Sequence, residues 1–497
     1  MMMKFASDRT ARWATIATIA GLLAAPGIAQ NAPPPPSGSG VQTAPGLVQS
    51  VPAPVPLPML SPAQASQLVT MLAEARFAQG LVHDAVDSPA PGTNDELVRA
   101  ALDYAHAVHS GRLDPEDFQS DWGLRPAAYD PLPGFADAVK RDRLDRWIKA
   151  LPPPYSGYDG LKAGLDTYRR IEASGGWPAI AAGPDLTVGA TGPRVAALRA
   201  RLAIEDSQVV AKGDKYDAEL VAAVQRAQRR YGLNPTGNLG AQTRASLNVP
   251  AADRVRQIMA NMERWRWLPQ ELPKNRIQVN IAAAILTVFD GDAPIASMKA
   301  VTGAPGGRET PMLQSRIHSI VLNPPWNVPA GIAAKELFPK GPAYLASHGF
   351  KVIGEGANRR LQQQPGQSAL GSYKFDFDNP YAVYLHDTPS QATFNSFDRL
   401  ASHGCVRLEK PAALARLLLR NDPAWTPEAI LATVGKKATV RVQLKPEDQV
   451  AVYLLYWTAY ASANGTMNFR GDPYKWDKTL AGRIERRSAA KAVTAAR

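Results

Sequence analysis

Apolar positions along this chain keep two different periods, and the change falls near residue 276. Before it they recur every three or four residues, the spacing of one helix face. Ser61-Pro62 supplies an N-cap and a proline at the first helical position, and Leu68, Met71, Leu72 and Ala75 follow on one side. Asn94 opens a second stretch carrying Leu97, Ala101, Tyr104 and Val108. Helical spacing continues to about residue 182, broken by clusters such as Pro152-Pro153-Pro154. Residues 186–249 form a tighter unit. Thr191-Gly192-Pro193 starts a helix with Val195, Leu198 and Leu202, and Asp217 caps one with Leu220, Val224, Ala227 and Tyr231. Gly232 stops that helix, and residues 243–247 make a last short one.

From Arg276 onward the period becomes two. Ile277, Val279 and Ile281 alternate with polar or small residues, and Asp290-Gly291 marks a hairpin turn. Ile317, Ser319 and Val321 alternate again. Residues 381–385 read as a strand ending at His386, and residues 406–408 as a short strand before a helix opened by Lys410-Pro411. Residues 327–370 show no clear period and many Gly, Pro and Gln, which predicts a long loop. After residue 444 either a hairpin at Asn464-Gly465 or a helix fits. The expected fold class is therefore multi-domain α+β: a helical scaffold (61–182), a three-helix module (186–249), a mainly β domain (276–444) and a C-terminal extension (445–497).

The N-terminus does not join this pattern. Lys4, Arg9 and Arg12 precede an apolar run at 13–25, with small residues at 27–29. That is the layout of a secretory signal peptide over residues 1–30; an uncleaved membrane anchor is the alternative. Residues 31–60, with prolines at 33–36, read as an extended linker. Export of the body of the protein is the expectation. A formal charge of +12 and a pI near 9.6 suit an acidic surface or polymer, and nucleic acid is not expected outside the cell. Part of the excess lies in the tail, at Arg483, Arg486, Arg487 and Lys491, which reads as a frayed, solvated end.

Export also changes the meaning of the single cysteine. Exported cysteines usually pair, and Cys405 has no partner in its own chain. It follows a Ser-His-Gly turn, nineteen residues after His386. An imidazole near a thiol can take its proton and hold the ion pair, making a nucleophile of low pKa that oxidants would attack. Gly404 lets the backbone bend beside the sulfur, and the N–H groups of Gly404 and Cys405 could receive an oxyanion. Arg407 lies on the same strand face as Cys405 and suits either a substrate carboxylate or a structural ion pair. A structural zinc site wants four ligands, so no metal is expected. His106 and His109 lack metal-like company and read as structural.

The run "HDTPSQATFNSFDRLASHGCVRL" resembles the active-site motif of the L,D-transpeptidases, β-rich enzymes that cross-link peptidoglycan. "GRETPMLQSRIHSIVLNPPWNVP", "YLASHGF", "QQQPGQSALGSYKF" and "YAVYLHDTP" resemble the large, multi-domain proteobacterial branch, with its helical scaffold, peptidoglycan-binding module and capping loop. "TGPRVAALRARL" and "YDAELVAAVQRAQRRYGLNPTGNLGAQTRASLNV" resemble that module. The likeness covers most of residues 60–475 and is closest over 276–444. It implies Cys405 as nucleophile, His386 as its base, and His403 as an accessory group near the oxyanion. It further implies Arg407, Tyr384 and Trp326 around the substrate, and residues 327–370 as the cap. It also implies 3→3 cross-linking of tetrapeptide stems without a cofactor, with stem peptides and glycan as partners and carbapenems as covalent inhibitors. The same chemistry with another acceptor would make an L,D-carboxypeptidase or attach proteins to the wall. A non-enzymatic wall-binding scaffold is the remaining alternative.

Overall fold

The computed structural model describes residues 56–83 and 92–495; the side chains of Ala357 and of residues 489–495 are left out of the description. The signal-peptide expectation and nearly all of the linker lie outside these residues. Residues 57–497 form one compact unit.

The helical part begins as its caps dictate. Ser61 accepts from the Gln64 backbone while Gln64 reaches back, a reciprocal box that starts Pro62–Ala78. Thr93 and Glu96 do the same for Asn94–Ser110. Pro193–Ala203, Ala218–Arg230 and Ala241–Leu247 build the three-helix module around Val195, Leu198, Leu220 and Val224, all fully buried. Gly232, at φ 67°, terminates the second of these helices. His109 is structural, stacked on Tyr129 at 3.6 Å.

The β part contains β1 (Asn275–Asn280), β2 (Ile285–Asp290), β3 (Ala293–Gly303), β4 (Leu313–Leu322), β5 (Trp326–Asn327), β6 (Phe350–Ile353), β7 (Arg360–Gln363), β8 (Tyr373–Phe377), β9 (Leu385–His386), β10 (Leu400–Ser402), β11 (Val406–Leu408), β12 (Val440–Gln443), β13 (Val450–Leu455), β14 (Ala459–Ala461) and β15 (Met467–Phe469). Its main sheet runs β10-β3-β11-β9-β8-β4-β13-β1-β2, with β12 on β4. β2 also pairs with β3, so the sheet closes into a ring and leaves few free edges. Ile277, Val279, Leu286, Ile317, Phe375, Leu385, Val406 and Val452 are among those that fill it.

Three expectations change here. Residues 381–384 are not strand. Asn379 accepts from the Tyr381 and Val383 N–H groups and donates to the Phe377 and Val383 carbonyls, winding the chain into a turn with Ala382 at φ 54°. Only Leu385–His386 pairs. The β domain also does not stop at residue 444: β13 lies between β4 and β1, parallel to β1. Beyond it come both the hairpin and a helix, Trp476–Ala495. Nor is that last helix wholly solvated. Trp476 and Leu480 are buried, and Arg487 pairs with Asp114 and Asp117.

A buried ion cluster ties the helices together. Glu263 is fully buried and bonds the Arg112 and Arg266 guanidinium groups at 3.1 and 2.9 Å. Burial alone would raise its pKa, but the two arginines hold it below the ordinary 4.5. Its stabilising contribution is therefore complete above that value and fades as pH falls. Glu263→Ala should cost about 3–5 kcal/mol in chemical denaturation at neutral pH, because two buried cations lose their partner. A cost below about 1 kcal/mol would refute this role for the cluster.

Candidate active site

The pairing of β9 with β11 assembles the site. The strands run parallel with Val406 opposite Leu385 and Arg407 opposite His386. His386 and Arg407, directly opposite, therefore project to the same side, and Tyr384 and Cys405 immediately precede the two strands. The turn before Cys405 is braced from within. Ser402 Oγ donates to the Cys405 carbonyl at 2.6 Å and accepts from the Gly404 N–H at 3.2 Å. Gly404 has φ 113°, a conformation other residues rarely adopt. Thr310 Oγ1 donates to the Gly404 carbonyl at 2.7 Å, and Tyr474, from the C-terminal extension, donates its hydroxyl to the Gly303 carbonyl and accepts from the Thr310 N–H.

This bracing alters one expectation. The Gly404 N–H is directed to Ser402, so it is not free for an oxyanion in this conformation. The Cys405 N–H has no acceptor among the described residues and is the better candidate.

The sulfur is partly exposed, with the Ala382 carbonyl 3.9 Å away. Burial pushes its pKa up. The Tyr384 N–H and hydroxyl, and the nearby Lys374 and Arg407 charges, pull it back only in part. The low-pKa thiol expected from the sequence is therefore not what this conformation holds, because no imidazolium stands beside it. His386 is buried, and burial together with the Arg407 charge lowers its pKa to about 3. Its Nδ1 lies 2.5 Å from the Asp387 carbonyl, and the Leu370 carbonyl also bonds the ring. Among the described residues no hydrogen bond joins this ring to Cys405. The resting pair is thus a protonated thiol and a neutral imidazole, and the imidazole is in its proton-accepting form at neutral pH.

Burial and the neighbouring Cys405 sulfur raise the pKa of the Tyr384 hydroxyl, and the Trp326 side chain works against them. The Tyr384 ring meets His386 edge-on at 5.6 Å. Lys374, which sequence reasoning passed over, stands opposite His386 in the register of β8 and β9. Its ammonium lies 4.2 Å from the centre of the Tyr384 ring and 2.7 Å from Asp376. The alternation Tyr373, Phe375, Phe377 inward, Lys374 and Asp376 outward, was the available signal.

Residues 326–363 are not a structureless loop. β5, β7 and β6 form their own antiparallel sheet, and Ala333, Leu337, Leu345, Phe350 and Leu361 make a small separate core. His403 meets Glu336 of this cap at 2.8 Å and so fastens the turn before Cys405 to the cap.

Fold and site together define a class: a helical scaffold and a three-helix module joined to a closed β domain that presents one thiol beneath a small cap. Residues 274–438 match the L,D-transpeptidase catalytic domain, 62–165 the scaffold domain, and 191–247 a domain provisionally described as peptidoglycan binding. Residues 274–438 are thus an L,D-transpeptidase catalytic domain by that match. It is 32% identical over 247 residues to a Haemophilus influenzae protein provisionally named an L,D-transpeptidase. The match covers 46% of this chain and 49% of that one, so the chain spans about half the length of this relative. An L,D-transpeptidase structure from Stackebrandtia nassauensis shares 14% identity over 56% of this chain and 96% of its own, at a TM-score of 0.23. One from Xylanimonas cellulosilytica shares 18% over 55% and 99%, at 0.20. Agreement that slight says nothing about the site.

Tyr384→Phe should raise the thiol pKa, since a hydrogen bond to the thiolate is lost. A bond of about 0.5–1.5 kcal/mol corresponds to roughly one pH unit or less. Iodoacetamide alkylation, which here reports a single cysteine, should show its midpoint displaced to higher pH; an unmoved midpoint would exclude that bond.

Proposed function

We propose that this protein is a peptidoglycan L,D-transpeptidase that forms 3→3 cross-links through an acyl-enzyme on Cys405, in the periplasm, after export by its N-terminal signal. The observation that carries the reading is the register of β9 with β11, which lines up a partly exposed thiol, a neutral imidazole and a guanidinium on one sheet face under a separate cap.

The sulfur attacks the carbonyl between the third stem residue, a diamino acid, and the terminal D-alanine. A C–S bond forms as the C–N bond breaks, and D-alanine leaves with the proton that His386 takes from the thiol. The side-chain amine of a second stem then attacks the thioester. A C–N bond forms, the C–S bond breaks, and the amine's proton returns by His386 to sulfur. With Nδ1 held by the Asp387 carbonyl, Nε2 is the nitrogen that accepts the proton. The Cys405 N–H receives the oxyanion. Arg407 and Lys374, a positive pair against the reacting face, suit a stem carboxylate. The cap, held by His403 and Glu336, excludes water so that amine outcompetes hydroxide. The three-helix module, residues 191–247, adds the wall's polymer as a binding partner.

Purified tetrapeptide muropeptides should give cross-linked dimers with release of D-alanine. Cys405→Ala should give none while keeping its thermal transition, and His386→Ala should turn over about 10²–10⁴-fold more slowly. Tripeptides alone would make the chain a carboxypeptidase; dimers from Cys405→Ala would end the nucleophile assignment.

A carbapenem should acylate Cys405 by ring opening, adding its full mass in intact-protein mass spectrometry. Absence of the adduct from wild-type protein would count against an accessible, activatable thiol.

A further inference from the structure

On the wall of the ring opposite β9 and β11, a cavity of about 500 Å³ opens between the outer face of β1 and β2, the start of helix Ser156–Ala173, and the β14-β15 hairpin. The inner face of these strands is ordinary core: Ile277 pairs with Val288 and Val279 with Leu286, all essentially buried. The outer face alternates to polar, as for a strand that meets water, and Gln278 stands directly across from Thr287. Yet Gln278 is only 6% exposed. Tyr155, Trp265 and Trp457 wall it in, the two indoles stacked at 4.5 Å.

Polar groups in this cavity lack partners. Among the described residues the Gln278 amide has no hydrogen bond. Asn280 Oδ1 accepts from the Ala283 and Trp457 backbones, which leaves its NH₂ without an acceptor. The Trp265 indole N–H is buried and unpaired. The buried Trp265 N–H calls for a partner from outside the chain, and the two amides lining the cavity are free to meet one. The charges at the rim, Arg276 and Asp292, lie 3.6 Å apart and face each other, so no net charge is left for an ionic ligand.

We infer that this cavity is a binding site for an uncharged N-acetylhexosamine glycan, with the Tyr155 and Trp457 rings against sugar C–H faces and the Gln278 and Asn280 amides on hydroxyl and acetamido groups. Aromatic walls with a few placed amides suit a ligand that is apolar on its faces and polar at its edges. Charged peptide stems fit it poorly. The site rests on the reading of the substrate as peptidoglycan and lies apart from the sulfur. It would hold the glycan strand while a stem reaches the thiol on the other side.

The test is titration of the full chain with an N-acetylglucosamine tetramer by tryptophan fluorescence, with a glucose tetramer as control. Saturable binding that prefers the acetamido sugar is expected, weakened at least tenfold in Trp457→Ala and in Gln278→Leu. Trp457→Ala also removes a stack on Trp265, so Gln278→Leu, with the 191–247 module untouched, is the deciding variant. No saturable binding, or binding unchanged in Gln278→Leu, overturns the site. Muropeptide turnover is read in parallel. Turnover without glycan binding rejects this site alone, whereas glycan binding without turnover rejects the enzymatic reading alone.

Discussion

The parallel pairing of two very short strands is the constraint on which this protein's chemistry depends. Leu385–His386 and Val406–Leu408 are barely long enough to be strands, and alone they would not hold. They persist because β3 and β8 flank them and the ring closes around their buried residues, Leu385, Val406 and Leu408. Slip the register by one residue and His386 and Arg407 turn to opposite faces. The turn locked by Ser402, Thr310 and Tyr474 and the one wound by Asn379 both set where these strands begin, and so fix that register.

The electrostatics of the site follow from where the pair lies. Burial works against charge on both groups, raising the thiol's pKa and lowering the imidazole's, and the neighbouring cations favour the thiolate while disfavouring imidazolium. A thiol and an imidazole both kept neutral form a resting site that is not yet an ion pair. Such a site keeps its thiol protonated until the local field changes. Tyr384 interacts electrostatically with Cys405 and also with Trp326 of β5, where the cap begins, so cap position and sulfur environment are linked.

Long-range assembly does the rest. The C-terminal extension supplies β13 to the middle of the sheet and Tyr474 to the brace behind the turn before Cys405. Buried Arg–Glu clusters tie the helices to one another. One of them, Glu205 with Arg201 and Arg230, is held ionised at a pKa of about 2 against the cost of burial.

Much was legible in local sequence, because its causes are local. Caps at Ser61 and Asp217, the stop at Gly232, the hairpin at Asp290-Gly291 and the alternation of β1 depend on a few neighbouring residues, and so does the recognition of Cys405 within its Ser-His-Gly turn. What only the tertiary structure decided depended on partners far along the chain. Residues 450–455 carry an apolar run that fits helix or strand until β4 and β1 offer their free edges. Residues 326–363 have no period because their small core is built from short pieces that meet only when folded. Lys374 joined the site, and His403 turned to Glu336, through contacts that no spacing encodes. The state of the sulfur, finally, is set by burial, and burial is a property of the whole fold and not of any segment of it.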